Sequence, residues 1–151
     1  MLNSTVVIGI GNEFRSDDAV GIHFARQLQE LNSSAVKIIE SFGEGVELMD
    51  LWEGATRLFI CDAVCSNSVP GTIHVLEPQK DAIPSHFFNY STHAFSLAEA
   101  IEMSRVLGNL PEQVTIYGIE GGSFVAGNQL TVAVQNSLAQ VVSMVKAIIT
   151  G

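Results

Sequence analysis

The chain has 151 residues, a formal net charge of −9, 47% hydrophobic residues and only 15% charged residues. That length fits one domain, which we assign to residues 1–151, and the apolar content excludes a disordered chain. Binding of nucleic-acid phosphates needs clustered Lys and Arg, and the chain has seven basic residues in total. We therefore expect no nucleic-acid partner.

The first residues lack the basic start and long apolar run of a secretion signal. No apolar stretch reaches the roughly 20 residues that a membrane-spanning helix needs. The two cysteines, Cys61 and Cys65, have neither zinc-ribbon spacing nor the Cys-x-x-Cys spacing of a redox pair. We expect a cytoplasmic protein without a membrane partner, with reduced thiols and with Cys61 in the core.

The first third of the chain predicts two strands and two helices. Residues 5–10 form a β-branched apolar run typical of a buried strand. Apolar residues then recur at helical spacing over 17–31, with Ser16 as the predicted N-cap. Residues 36–39 predict a second strand, and the apolar residues of 46–51 predict a short helix.

The remainder of the chain continues the alternation. Residues 57–62 predict a third strand, 72–76 an edge strand of antiparallel direction, and 77–90 a long surface loop. Ser96 and Glu99 have capping-box spacing and begin a predicted helix that reaches Leu107. Residues 114–119 predict the last strand, and the apolar stripe of 134–148 predicts a closing helix.

Strands that alternate with helices indicate an α/β fold. We predict a three-layer αβα sandwich of the phosphorylase/hydrolase-like kind. Its sheet is a mostly parallel, twisted sheet of about five strands with one antiparallel edge strand.

Acids and an imidazole occur where predicted strands give way to loops. Asp17 and Asp18 follow the first strand, Asp62 ends the third, and His93 lies in the loop before a helix. Ligand sites in open α/β sheets gather at the carboxyl ends of the strands. Two carboxylates and one imidazole there would form a site for a divalent transition metal. His23, His74 and His86 are interpreted as structural or solvated residues.

Other chemistries fit less well. Gly9 and Gly11 begin a dinucleotide fingerprint, but Phe14 occupies its third small-residue position, so we interpret both glycines as turn residues. No Gly-x-Ser-x-Gly motif is present. Cys61 should face the side of its strand opposite to Asp62, which argues against a thiol pair formed by Cys61 and His93.

Combined, the motifs resemble the hydrogenase maturation proteases, endopeptidases that trim the C-terminal extension of the [NiFe]-hydrogenase large subunit. The resemblance runs nearly end to end, and its matching stretches are Gly9-Ile10-Gly11-Asn12, Asp17-Asp18-Ala19-Val20-Gly21, Asp62-Ala63-Val64, Pro70-Gly71-Thr72-Ile73, Ser91-Thr92-His93 and Gly118-Ile119-Glu120.

The resemblance implies that Asp18, Asp62 and His93 are both the catalytic residues and the metal ligands. It implies a Ni²⁺ ion carried by the substrate, for which Zn²⁺ or Cd²⁺ could substitute in vitro. The implied partner is the large-subunit precursor, and the implied state is a monomer. Asp17 is then expected only to interact favourably with the dipole at the start of the helix. Asp17→Asn should therefore lower the free energy of unfolding by only about 0.3–1 kcal/mol.

Two stretches depart from the family pattern. Residues 40–45 replace the usual Asp-Gly-Gly-Thr segment, and Gly121 replaces the proline of Gly-Ile-Glu-Pro. The residues alone leave two other functions open. One is a metallopeptidase or amidohydrolase that holds its own zinc, and the other is a nickel-binding chaperone that docks the precursor without cleaving it.

Overall fold

The computed structural model describes residues 4–84, 86–88 and 94–151. Five strands form one sheet: β1 (Thr5–Ile10), β2 (Val36–Ser41), β3 (Arg57–Val64), β4 (Ile73–Leu76) and β5 (Gln113–Glu120). Four α-helices flank it: α1 (Val20–Leu28), α2 (Gly45–Trp52), α3 (Leu97–Leu107) and α4 (Val132–Thr150). Short 3₁₀-helices, Ser16–Ala19 and Gln29–Leu31, extend α1 at both ends.

The sheet has the strand order β2-β1-β3-β5-β4. All neighbouring strands run parallel except β4, which pairs with β5 in the antiparallel direction and lies at the edge. The predicted αβα sandwich with an antiparallel edge strand is therefore confirmed.

The two faces of the sheet bury separate apolar clusters. Helices α1 and α4 cover the face that carries Val7 and Cys61, and α2 and α3 cover the face that carries Ile8 and Ile60. Cys61 is fully buried and unpaired, as predicted, while Cys65 is exposed. Helix α4 is apolar and long enough to cross a membrane. Its buried residues nevertheless belong to the core of this domain.

The prediction that Ser16 is the N-cap of the first helix is wrong. Ser16 has a positive φ of 52° and its hydroxyl donates to the carbonyl of Val125 at 2.8 Å, so it does not cap the helix. The predicted capping box at α3 is confirmed, with the Ser96 N–H donating to the Glu99 carboxylate at 2.9 Å. That bond is the main reason why the pKa of Glu99 is lowered.

Gly9 and Gly21 serve close packing, which corrects the interpretation of Gly9 as a turn residue. A Cβ atom on Gly9 would lie 1.9 Å from the carbonyl oxygen of Gly21. One on Gly21 would lie 2.1 Å from the carbonyl oxygen of Ile10 and 2.4 Å from that of Cys61. Helix α1 therefore lies directly on the backbones of β1 and β3, and this contact fixes the position of the segment before the helix.

We expect Gly21→Ala to lower the free energy of unfolding by roughly 1–3 kcal/mol, because backbone oxygens cannot move aside for the new methyl group. An alanine in a helix would otherwise gain about 0.5–1 kcal/mol over glycine, so the sign of the change is diagnostic. Urea denaturation measures it. Gln27→Ala on the exposed side of α1 is the control, expected within about 0.5 kcal/mol of wild type. A Gly21→Ala protein as stable as wild type would contradict the close packing.

Candidate active site

The candidate site lies at the carboxyl edge of the sheet, above β1 and β3. Asp62 belongs to β3 and is only 8% exposed. The strand continues to Val64, so Asp62 lies two residues inside the strand rather than at its tip, where the sequence pattern predicted it. Its Oδ1 accepts a hydrogen bond from the backbone N–H of Ala63 at 2.8 Å.

Asp62 faces the side of the sheet opposite to Cys61, as predicted. Residues two apart in a strand point to the same face, so Asp62 faces the same side as Ile60 and Val64, which belong to the apolar cluster under α2 and α3. Cys61 packs in the cluster on the other face. The pKa of the Cys61 thiol is raised well above its ordinary value, by burial and then by the charge of Asp62. A thiol in that environment is a poor nucleophile, because the thiolate is the reactive form.

Asp18 approaches Asp62 from the 3₁₀-helix that precedes α1. The two carboxylates interact electrostatically. The pKa of Asp62 is raised well above its ordinary value, first by burial and then by the charge of Asp18. Burial also raises the pKa of Asp18, against the opposing effects of the Arg15 charge and the Asn12 N–H. Two partly desolvated carboxylates of like charge form a local negative potential that a cation would neutralise.

Asp17 has a different role from the one that sequence reasoning assigned to it. It is fully buried, and Gly122, Ser123 and Thr131 donate four hydrogen bonds to its carboxylate at 2.7–3.1 Å. The prediction that the charge of Asp17 acts only on the dipole at the start of the helix is therefore wrong. Asp17 joins the segment before α1 to the segment between β5 and α4, and it thereby supports its neighbour Asp18.

The prediction for His93 falls outside the described residues. In the chain from 4 to 84, 86 to 88 and 94 to 151, no group of three His, Cys, Asp or Glu side chains is placed to hold a metal ion. The described residues thus supply two of the three predicted ligands, Asp18 and Asp62. Nearby, the carbonyl of Phe95 accepts the N–H of Gly45 at 2.8 Å, so the chain just before α3 lies against the start of α2.

Sequence reasoning missed a second acidic group at the same edge of the sheet. Glu120, the last residue of β5, is 2% exposed and accepts hydrogen bonds from Ser66 and His74. The signal was available, because Glu120 ends an apolar strand as an acid in the way that singles out Asp62. His74, interpreted as structural or solvated, is the partner of this buried carboxylate.

An acid pair at the carboxyl edge of an αβα sheet lies where enzymes of the α/β class have their active sites. A family model described as hydrogenase maturation protease matches residues 22–148. The chain therefore belongs to the hydrogenase maturation protease family, whose members are hydrolases that act on peptide bonds.

Two curated relatives illustrate the similarity in sequence. The hydrogenase 2 maturation protease of Escherichia coli (strain K12) is 29% identical over 118 residues, which span 76% of this chain and 71% of that protein. The hydrogenase expression/formation protein HoxM of Cupriavidus necator is 28% identical over 76% of this chain. The match spans 58% of HoxM, so that relative is considerably longer.

Solved structures extend the similarity to the fold. The hydrogenase maturating endopeptidase HybD from E. coli superposes with a TM-score of 0.82 at 25% identity, covering 97% of this chain and 92% of that chain. The maturation protease HycI from Thermococcus kodakarensis KOD1 gives a TM-score of 0.73 at 20% identity, covering 99% and 94%. At 20% identity, the similarity to HycI shows that the two proteins share a fold.

Proposed function

We propose that the protein is an endopeptidase that removes the C-terminal extension of a nickel-loaded [NiFe]-hydrogenase large-subunit precursor. The observation that supports this most strongly is the buried carboxylate of Asp62 near the carboxyl end of β3, close enough to Asp18 for the two charges to interact. This pair occurs in a chain of the maturation protease family. Two acids brought together there serve no evident purpose in stability, since the charge of Asp18 raises the cost of ionising Asp62.

The donor set fits a divalent transition metal. Two carboxylates supply hard, anionic oxygen ligands, and His93, the third predicted ligand, would add an imidazole nitrogen. In our proposal the ion is Ni²⁺ that is already bound to the precursor. Asp18, Asp62 and His93 therefore recognise a metal ion that the substrate carries. Zn²⁺ or Cd²⁺ would bind the same donors in vitro.

The acid pair can also act in proton transfer. A carboxyl group is an effective general base or acid when its pKa lies near the working pH, and burial raises the pKa of Asp62 in that direction. As an alternative to binding the ion, we propose that Asp62 acts as general base, accepting a proton from an attacking water and returning it to the leaving amine. A metal bound to these donors would polarise the scissile carbonyl or acidify that water.

Incubation of the protein with metal-free and with nickel-loaded precursor tests the proposal, with the mass of the precursor as the readout. We expect loss of the C-terminal extension only from the nickel-loaded form. Equal cleavage of both forms would indicate a peptidase that carries its own metal. A precursor of unchanged mass in both samples would indicate a chaperone. Either of these results overturns the proposal.

His93→Ala should abolish processing of the nickel-loaded precursor, because it removes the only imidazole of the proposed ligand set. His23→Ala, in α1 where His23 lines a cavity with Gln129 and Leu138, is the matched control and should process at the wild-type rate. Full processing by His93→Ala would count directly against its role. We further propose that the enzyme acts in the cytoplasm as a monomer.

A further inference from the structure

A buried polar cluster adjoins the acid pair and has no role in the function proposed so far. The Glu120 carboxylate accepts the backbone N–H of Ser66 at 2.7 Å and its hydroxyl at 2.6 Å. It also lies 3.2 Å from Nε2 of His74, whose side chain is 16% exposed. This contact joins the imidazole of His74 to the carboxylate by a hydrogen bond. Glu120 thus connects the end of β5, the segment after β3 and the edge strand β4.

The sheet register places this cluster on the same face as Asp62. Gly118 of β5 pairs with Asp62 on one side and with His74 on the other. Directly paired residues point to the same face, and two strand spacings separate the Asp62 and His74 Cα atoms by about 10 Å. Gly118 itself contributes no side chain to this row, and a methyl group of Val64 occupies the space beside it. A Cβ on Gly118 would lie 2.4 Å from a methyl carbon of Val64, so that position excludes a larger residue.

His74 also contacts the loop between β4 and α3. Its ring centroid lies 4.7 Å from that of Phe87 at an interplanar angle of 56°. The carbonyl of Phe87 accepts the N–H of Cys65 at 3.2 Å, three residues beyond Asp62. Phe88 and Ile83 of the same loop are buried in the cluster on this face. The described residues 86–88 of this loop are therefore held to the face of the sheet that carries Asp62, through His74 and Phe87.

We propose that Glu120 and His74 are positioning residues that hold residues 86–88 of the β4–α3 loop against the sheet face that carries Asp62. The loop continues in sequence to His93, the third ligand in the proposed function, and the inference rests on that function to this extent. Glu120 fixes the imidazole of His74 by a hydrogen bond, and the imidazole fixes the loop through the Phe87 ring. Groups that orient metal ligands in this indirect way commonly affect metal affinity by about 10–100-fold.

Two measurements on the metal-free full-length protein and two variants test the proposal. His74→Leu removes both the hydrogen bond and the ring contact, while His74→Phe keeps a ring against Phe87 and removes only the hydrogen bond. Hydrogen exchange of peptides from residues 79–96 reports how firmly the loop is held. Calorimetric titration with Zn²⁺ measures the metal affinity, which depends on how well the proposed ligands are positioned. His23→Leu on α1 is the matched control.

We expect exchange in the loop to accelerate about tenfold or more in His74→Leu and less in His74→Phe. Peptides from β1 and β3 should keep their protection, which shows that the variants are folded. Zn²⁺ affinity should fall by about 10–100-fold in His74→Leu and remain unchanged in His23→Leu. Wild-type loop protection in a folded His74→Leu protein would overturn the proposal, as would loop release without any loss of Zn²⁺ affinity. If the wild-type protein binds no Zn²⁺ but His74→Leu releases the loop, the loop-holding role stands and the proposed metal site fails.

Discussion

Asp62→Asn is expected to abolish cleavage of the nickel-loaded precursor and, at the same time, to stabilise the metal-free protein at neutral pH. Asparagine keeps an oxygen that can accept the Ala63 N–H. It removes a buried carboxylate whose pKa is raised by desolvation and by the charge of Asp18. The gain in stability should be at least about 1 kcal/mol, which is about 2–4 °C in Tm for a domain of this size.

The pH dependence of that gain has a definite sign. Since the pKa of Asp62 is raised in the folded protein, the unfolded chain loses this proton first as the pH rises. The wild-type protein therefore loses stability between the ordinary aspartate pKa, about 3.9, and the raised value in the folded state. The advantage of Asp62→Asn should be absent below that interval and complete above it.

Thermal melts in a chelator across this pH range measure the difference, with Asp50→Asn on the exposed side of α2 as the control. Added Ni²⁺ at about 100 times its Kd should stabilise the wild-type protein by about 2.7 kcal/mol and leave Asp62→Asn unchanged. If Asp62→Asn processes the precursor normally, Asp62 is neither a metal ligand nor a proton-transfer group. If it melts below the wild-type protein in the chelator, the buried charge of Asp62 does not destabilise the fold.

Asp17→Asn is expected to lower the free energy of unfolding by about 2–4 kcal/mol, far more than helix-end electrostatics would give. The Asp17 carboxylate accepts four hydrogen bonds, three of them from backbone N–H groups. An asparagine has only one oxygen in its amide group, so in either orientation at least one of these backbone N–H groups loses its acceptor. Urea denaturation measures the loss, and Asp50→Asn should remain within about 0.5 kcal/mol of wild type.

The Asp17 and Asp62 variants should lose activity in different ways. Asp17→Asn should retain processing at temperatures well below its melting transition and lose it as the domain unfolds, since the proposed ligands are all present. Asp62→Asn should be inactive at every temperature. An Asp17→Asn protein that is fully folded, binds no Zn²⁺ and is inactive would contradict a purely structural role for Asp17.

The sheet could be predicted from the sequence because its strands are short apolar runs separated by turn residues. The antiparallel direction of β4 followed from the alternating polarity of residues 72–76 and is confirmed by its pairing with β5. Local patterns could not reveal contacts between distant segments. The packing of Gly9 against Gly21 and the bonds of Asp17 to residues beyond β5 are of this kind.

The candidate site was predictable to the extent that acids stand out in apolar strands. Asp62 stands out in that way, and its carboxylate is electrostatically coupled to Asp18 in the structure. The same reasoning applied to Glu120, which follows the predicted last strand, would have found the His74 cluster. The choice between Asp17 and Asp18 depended on family resemblance. The structure adds a physical reason, because the Asp17 carboxylate is already occupied by four donors.

A crystal of the protein soaked with Cd²⁺ or Ni²⁺, with data collected at the absorption edge of the ion, tests the central claim most directly. We expect one dominant anomalous peak within about 2.0–2.4 Å of oxygens from Asp18 and Asp62 and a ring nitrogen of His93. A fully occupied peak elsewhere, with these three side chains unliganded, would contradict the proposed site.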